Sequence, residues 1–126
     1  MTVRPEMLAF GCREDDLAVL RQVSPAGGPA LRVVDTPVEV AHQTLARRPV
    51  AVFIGVGLPC LKNLDVITVI RDVRSDLPVI VIADEDSLDL ERHARRKNLF
   101  YYLVHPVIPA EVAAVLEAVL RHSDST

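Results

Sequence analysis

Short apolar runs alternate with amphipathic segments along most of the chain. The runs lie at residues 7–10, 31–34, 50–54, 79–82 and 100–104. The runs at 50–54 and 79–82 are continuously apolar, which is typical of central parallel strands covered on both faces. The segments between the runs place apolar residues at helical spacing. The pattern therefore predicts five strands, each followed by a helix.

The second helix has the clearest boundaries. Thr36 is a good N-cap, Pro37 suits the first helical position, and Pro49 ends the segment. Arg47 and Arg48 at its end suit the negative pole of the helix dipole. We expect its inner face to consist of Val40, Ala41, Leu45 and Ala46.

The other helices are bounded by weaker signals. Asp15 or Asp16 can open the first helix, and Asn63 can cap a third helix that runs to Val73. The fourth spans about 87–97, and Pro109 opens the last. Strands that alternate with helices indicate a parallel sheet with right-handed crossovers. Five such units predict an α/β, flavodoxin-like doubly wound sheet with strand order 2-1-3-4-5. We expect one domain over residues 1–126, with flexible ends at about 1–6 and 122–126.

Composition narrows the class of protein. Half of the 126 residues are apolar, so a core can form without disulfides or metals. A net charge of −3 does not favour nucleic-acid binding, and no apolar run is long enough for a membrane helix. Only two cysteines, Cys12 and Cys60, are present, which favours reduced thiols in a cytoplasmic protein. We expect neither a nucleic acid nor a membrane as partner.

Ligands of such folds lie beyond the carboxyl ends of the strands. The residues at those ends are Gly11, Cys12, Gly55, Ala83 and His105. We find no phosphate-binding loop, no nucleophile elbow and no His/Cys spacing for a metal in the sequence. We therefore expect no enzymatic activity, no catalytic residues, no cofactor and no metal.

Four segments in order give the chain a family resemblance. They are Val52-Phe53-Ile54-Gly55-Val56-Gly57-Leu58-Pro59, Leu64-Asp65-Val66-Ile67, Leu77-Pro78-Val79-Ile80-Val81-Ile82 and Tyr102-Leu103-Val104-His105-Pro106. In this order and spacing the chain resembles the receiver domains of bacterial response regulators over essentially its whole length. The resemblance implies a cis peptide bond between His105 and Pro106. It also implies that Asn63, where the family often has Gly, keeps any left-handed backbone needed there.

The resemblance also implies a phosphorylation site whose reactive groups are absent here. The family's acceptor aspartate corresponds to Gly55, which has no nucleophile. Its magnesium-binding acids correspond to Gly11 and Cys12, which offer no hard oxygen ligand. Its hydroxyl residue corresponds to Ala83 and its lysine to His105. The chain thus resembles a receiver that has lost its acceptor, a pseudo-receiver.

Several polar residues near this edge allow two interpretations. The acids Glu14, Asp15, Asp16, Asp84, Glu85 and Asp86 either cap helices and solvate loops or form a displaced metal site, and we favour the first. His105 is either a ligand or proton switch, or it fills the space of the lysine and bonds a loop carbonyl, which we favour. Cys12 and Cys60 are either a redox pair or, as we favour, unrelated thiols.

Two functions from different classes follow. The first is a pseudo-receiver that acts as a protein-docking module in a two-component-type bacterial pathway. The resemblance places its docking face on the fourth helix, fifth strand and fifth helix, where it binds a protein partner or forms a homodimer. Candidate contacts are Arg92, Arg95, Arg96 and Tyr102. The alternative is a small-molecule or redox sensor that uses the emptied pocket at the carboxyl end of the sheet.

Overall fold

The fold is a five-stranded parallel sheet between two layers of helices. The computed structural model describes residues 5–24, 28–57, 63–84 and 87–124. The strands are β1 (Glu6–Phe10), β2 (Ala30–Val34), β3 (Ala51–Val56), β4 (Val79–Ala83) and β5 (Tyr101–Val104). The helices are α1 (Glu14–Val23), α2 (Pro37–Arg47), α3 (Leu64–Val73), α4 (Leu88–Arg95) and α5 (Pro109–Asp124). The strand order is β2-β1-β3-β4-β5 with all pairs parallel, so the predicted topology is confirmed.

Strand alternation divides the core into two layers. Side chains such as Leu8, Val52 and Val81 pack beneath α2, α3 and α4. Met7 and Phe53 point the other way, beneath α1 and α5. Every residue of β3 and β4 is buried, which explains why these strands read as continuous apolar runs.

The N-terminus of α2 is as predicted, but its inner face is not. The Thr36 hydroxyl accepts a hydrogen bond from the Glu39 backbone N–H at 3.1 Å. The buried residues of the helix are Val40 and Thr44, whereas Leu45 is 67% exposed and Ala46 is also exposed. Thr44 can be buried because its hydroxyl donates to the Val40 carbonyl at 2.7 Å. Ranking positions by apolar character therefore misassigned this face.

Other boundaries differ by one to three residues from the expectation. Helix α1 begins at Glu14, one residue before the predicted start, and α4 ends at Arg95 rather than near Lys97. Glu6 and His122, which we expected in flexible ends, lie within β1 and α5. Among the described residues, no helix combines the length and the apolar character that crossing a membrane requires.

Candidate functional site

The carboxyl edge of the sheet carries a cleft of about 150 Å³. Four of the five positions predicted to lie there line it: Gly11, Cys12, Gly55 and His105. The fifth, Ala83, ends β4 but is fully buried in the core. The cleft is also lined by Arg13, Asp16, Val56, Gly57, Ile82 and Asp84.

Gly55 lies against the backbone of the loop that follows β1. A β-carbon added to Gly55 would overlap the carbonyl oxygen of Gly11. It would also lie 2.6 Å from the Gly11 carbonyl carbon and 2.9 Å from the Cα of Cys12. Gly11 makes this approach with a φ of +72°, a left-handed conformation that other residues adopt at a steric cost. The β1–α1 loop therefore fills the space that any side chain at position 55 would need.

Asn63 holds the same region from the other side. Its side-chain amide donates to the Gly55 carbonyl at 2.8 Å. Its backbone is right-handed helical (φ −63°), and its side chain makes no capping bond to α3. Asn63 therefore occupies the predicted N-cap position of α3, but its side chain does not cap the helix, and the position does not need the left-handed backbone that the resemblance allowed for. Its amide instead fixes the backbone of β3.

Asp16 is the polar group that sequence reasoning misassigned. It is 1% exposed, although we expected it to cap a helix or solvate a loop. One carboxylate oxygen lies 2.7 Å from Nδ1 of His105, and the other accepts from the Val107 backbone N–H at 3.2 Å. A carboxylate can only accept, so the imidazole N–H donates. His105 therefore bonds a buried acid, not the loop carbonyl that we expected.

Two further ionic contacts surround this pair. The Asp15 carboxylate lies 3.7 Å from Nε2 of His105, so each ring nitrogen faces an acid. Ligand atoms of Asp15, Asp16 and His105 all lie within 4.8 Å of one another. Both oxygens of Asp16 already accept protein hydrogen bonds, so the group is arranged as an internal hydrogen-bonded cluster. Across the cleft, Arg13 pairs with Asp84 at 2.8 Å; Glu85 and Asp86 lie outside the described residues.

Cys12 lies half-buried in the wall of the cleft. Its Sγ lies 3.7 Å from the Phe53 carbonyl and 3.8 Å from the Phe10 carbonyl. Burial, with a smaller contribution from the charge of Asp16, raises the pKa of the thiol to about 12. Such a thiol is a poor nucleophile at neutral pH. The suggested redox partner, Cys60, lies outside the described residues.

The candidate docking residues are not equally available. Tyr102 is 9% exposed, and the Arg95 guanidinium lies 5.8 Å from its ring centroid and pairs with Glu91. Arg92 and Arg96 are exposed and form no ion pair with another described residue. The exposed aromatic of β5 is Tyr101, at 42%. Alternation predicted that one of the two tyrosines would be near solvent, and this is confirmed.

Sequence comparison finds relatives among response regulators, although no family model matches the chain. PrrA of Mycobacterium tuberculosis, a transcriptional regulatory protein, is 28% identical over 122 residues, which are 97% of this chain and 52% of that protein. The response regulator MprA of Mycobacterium leprae is 28% identical over 113 residues, or 87% of this chain and 50% of that protein. The chain is similar in sequence to response regulators. It spans about half the length of the curated relatives that it matches.

Solved structures agree on the fold. The signal receiver domain of an HD domain-containing protein from Pseudomonas fluorescens Pf-5 has a TM-score of 0.81 and 21% identity, and the match covers 98% of this chain and 100% of that one. A CheY-like receiver domain from Methanospirillum hungatei JF-1 has a TM-score of 0.75 and 15% identity, with the same coverage. The His105–Pro106 bond is cis, as the receiver resemblance implied. The receiver resemblance gave no reason to single out Asp16. Its burial and its hydrogen bonds to His105 and Val107 are visible only in the structure.

Proposed function

We propose that this chain is a pseudo-receiver, a receiver fold that accepts no phosphate and acts in the cytoplasm as a protein-docking module of a bacterial signalling pathway. The observation that carries the proposal is the contact between Gly55 and Gly11. The acceptor position has no nucleophile, and the β1–α1 loop occupies the space that one would need. Both the reacting group and the space for its side chain are therefore missing.

The paired side chains of the cleft support the same proposal. In receivers the lysine and hydroxyl residues contact the phosphoryl oxygens. Here His105 is bonded to the buried Asp16, and Arg13 is bonded to Asp84. These pairs join the loops after β1, β4 and β5 without a phosphoryl group. The edge of the sheet is thereby held together by its own side chains.

Exposure to a small phosphoryl donor with magnesium tests the loss of phosphate acceptance. Intact-mass measurement should show no phosphoryl adduct. The exposed acids of the cleft lack the surroundings that activate the acceptor aspartate in receiver domains. A receiver domain that retains the acceptor aspartate is the positive control. An adduct mapped to Asp15, Asp16 or Asp84 would refute the proposal and indicate a displaced acceptor.

We place the docking face on α4, β5 and α5. Three exposed apolar side chains lie on or beside these elements: Leu88 (62%), Tyr101 (42%) and Ile108 (60%). Arg92 and Arg96 add positive charge that no described acid neutralises by an ion pair. Helix α4 buries only Leu90 and Ala94, so most of its surface is available to a partner. Exposed apolar residues together with unpaired arginines fit an acidic protein surface or a second copy of the chain.

Charge reversal at Arg92 and Arg96 tests this face. Arg95 is left unchanged because it packs on Tyr102, so its loss would alter the fold as well as the surface. We expect Arg92→Glu with Arg96→Glu to weaken capture of the partner from the source cell about tenfold, with a smaller salt dependence. The matched control is Arg21→Glu, an exposed arginine on α1. Equal loss in the control, or none in the double variant, would place the docking face elsewhere.

The cleft itself supports the alternative, a small-molecule sensor. Its walls carry apolar groups from Val56 and Ile82, and its volume admits only a small ligand. The redox form of the alternative is disfavoured because burial keeps the Cys12 thiol protonated. Binding of a small apolar probe that shifts the NMR signals of Gly57 and Ile82 would support a sensor over a docking module.

A further inference from the structure

A second apolar surface lies on the opposite flank of the same helical layer. Helices α2 and α3 pack side by side, and both leave apolar residues in solvent. Val38 and Leu45, two turns apart on α2, are 79% and 67% exposed, and Val69 on α3 is 38% exposed. These three make up nearly half of the seven large exposed apolar residues of the described chain. They lie far from the docking face proposed above, which uses α4 and α5.

Contacts made by neighbouring residues show how the two helices are rotated. On α2, Val40 and Thr44 are buried against the core, and Val38 and Leu45 lie on the outer surface of the helix. On α3, Thr68 accepts a hydrogen bond from Lys97 beyond α4, so Val69, the next residue, lies on the outer surface away from α4. The exposed apolar residues of both helices therefore share one outer surface, here called the α2–α3 strip.

The two halves of the α2–α3 strip carry opposite charge. On α3, Val69 lies between Asp65 and Asp72, at positions i, i+4 and i+7 of one exposed stripe. On α2, the stripe of Val38 and Leu45 ends at Arg48, which is exposed. Asp65, Asp72 and Arg48 form no ion pair with any described residue. One half of the strip is thus apolar and acidic, and the other is apolar and basic.

We propose that the α2–α3 strip binds a second copy of this chain across a two-fold axis, with α2 of each copy on α3 of the other. A two-fold interface must be complementary to itself, and the α2–α3 strip meets this condition because its two halves carry opposite charge. Pairing α2 with the partner's α3 buries apolar residues against apolar residues and brings Arg48, at the C-terminal end of α2, towards the partner's Asp72 at the C-terminal end of α3. Pairing α2 with α2, or α3 with α3, would bring like charges together. This second association is independent of the proposed docking face.

The dimer should be weak. Helices of 11 and 10 residues are about 15 Å long, and two adjacent helices cover less than the roughly 800 Å² per partner of a standard interface. We therefore expect a dissociation constant in the micromolar range. Sedimentation equilibrium of the chain up to several hundred micromolar should show a reversible monomer–dimer equilibrium. A monomer throughout that range would refute the proposal.

Variants distinguish the strip from other faces. Leu45→Glu should raise the dimer dissociation constant by about tenfold or more, because each dimer contains the residue twice. Ile108→Glu, equally exposed but on the α4–β5–α5 face, should leave it unchanged. The reverse result would overturn the assignment. Circular dichroism should show both variants folded, because neither side chain is buried.

Charge reversal tests the α2-to-α3 pairing itself. Arg48→Glu alone, and Asp65→Arg with Asp72→Arg, should each self-associate less than the original chain. An equimolar mixture of the two variants should recover the dimer, because each contact in the mixed dimer then pairs opposite charges. Failure of the mixture to recover it would exclude pairing of α2 with α3, even if Leu45→Glu disrupts the dimer.

Discussion

Replacing Gly55 by alanine tests directly whether the β1–α1 loop has closed the acceptor position. The substitution adds one methyl group and no charge, so its effect is steric. Among the described glycines only Gly11 has a positive φ, so alanine at position 55 suffers no backbone strain of its own. The added β-carbon would overlap the Gly11 carbonyl oxygen and lie 2.6 Å from its carbon. Backbone atoms must move to relieve that overlap.

The expected destabilisation is large for one methyl group. Overpacking a filled site costs typically 1–3 kcal/mol, and a backbone neighbour gives way less readily than a flexible side chain, so we expect about 3 kcal/mol. A domain of this size loses roughly 4 °C of melting temperature per kcal/mol, or about 12 °C in total. Gly57→Ala is the matched control, because its β-carbon would meet only the Asp84 side chain, at 3.0 Å. It should cost less than about 1 kcal/mol.

Urea unfolding of the three proteins, followed by circular dichroism, measures the difference in free energy of unfolding. The reasoning is refuted if Gly55→Ala is as stable as Gly57→Ala, since the loop would then move aside without cost. Gly55→Asp, which restores the family's acceptor residue, should be destabilised at least as much as Gly55→Ala. It should also remain unphosphorylated, because its carboxylate has no space in the cleft.

Four other predictions rest on Asp16, Cys12 and Glu6. Asp16→Ala should lower the free energy of unfolding by about 2–3 kcal/mol, because it leaves the donors of His105 and Val107 unpaired. Asp15→Ala, a change at an exposed neighbour, should lower it by less than about 0.5 kcal/mol in the same urea experiment. In a Cys60→Ser background, Cys12 should react with a thiol reagent far more slowly in the folded than in the unfolded chain, and equal rates would contradict its burial. Because the Cys12 pKa is about 12 when folded and 9.0 in the reference state, the contribution of Cys12 to stability should be constant below pH 9 and fall as the pH rises above it, and Cys12→Ser should remove that contribution. Glu6, whose pKa is lowered mainly by a hydrogen bond from Arg32, should stabilise the fold above pH 4.5 and lose that effect as the pH falls. If Glu6→Gln loses stability at low pH in the same way as the original chain, the Glu6–Arg32 pair contributes nothing to stability.

The apolar pattern determined the architecture. Continuously apolar runs such as 50–54 and 79–82 are stable only when both of their faces are buried. Because such runs alternate with helical segments, a parallel, doubly wound sheet is the compact arrangement that buries them. The same pattern located the carboxyl edge, because parallel strands all end there. Gly11, Cys12, Gly55 and His105 were therefore correctly predicted to lie together.

Tertiary structure decided what those positions do. Asp16 lies among several acids in the sequence, and nothing local distinguishes the one that becomes buried from those that stay in solvent. Its burial depends on His105 and Val107, which lie about 90 residues further along the chain and arrive only when α1 and β5 are assembled. Likewise, the Gly11 backbone, in the loop after β1, fills the space that a side chain at Gly55 of β3 would need. Local sequence determines which elements form, whereas the partner of a polar group and the space left for a side chain are set by contacts between distant residues.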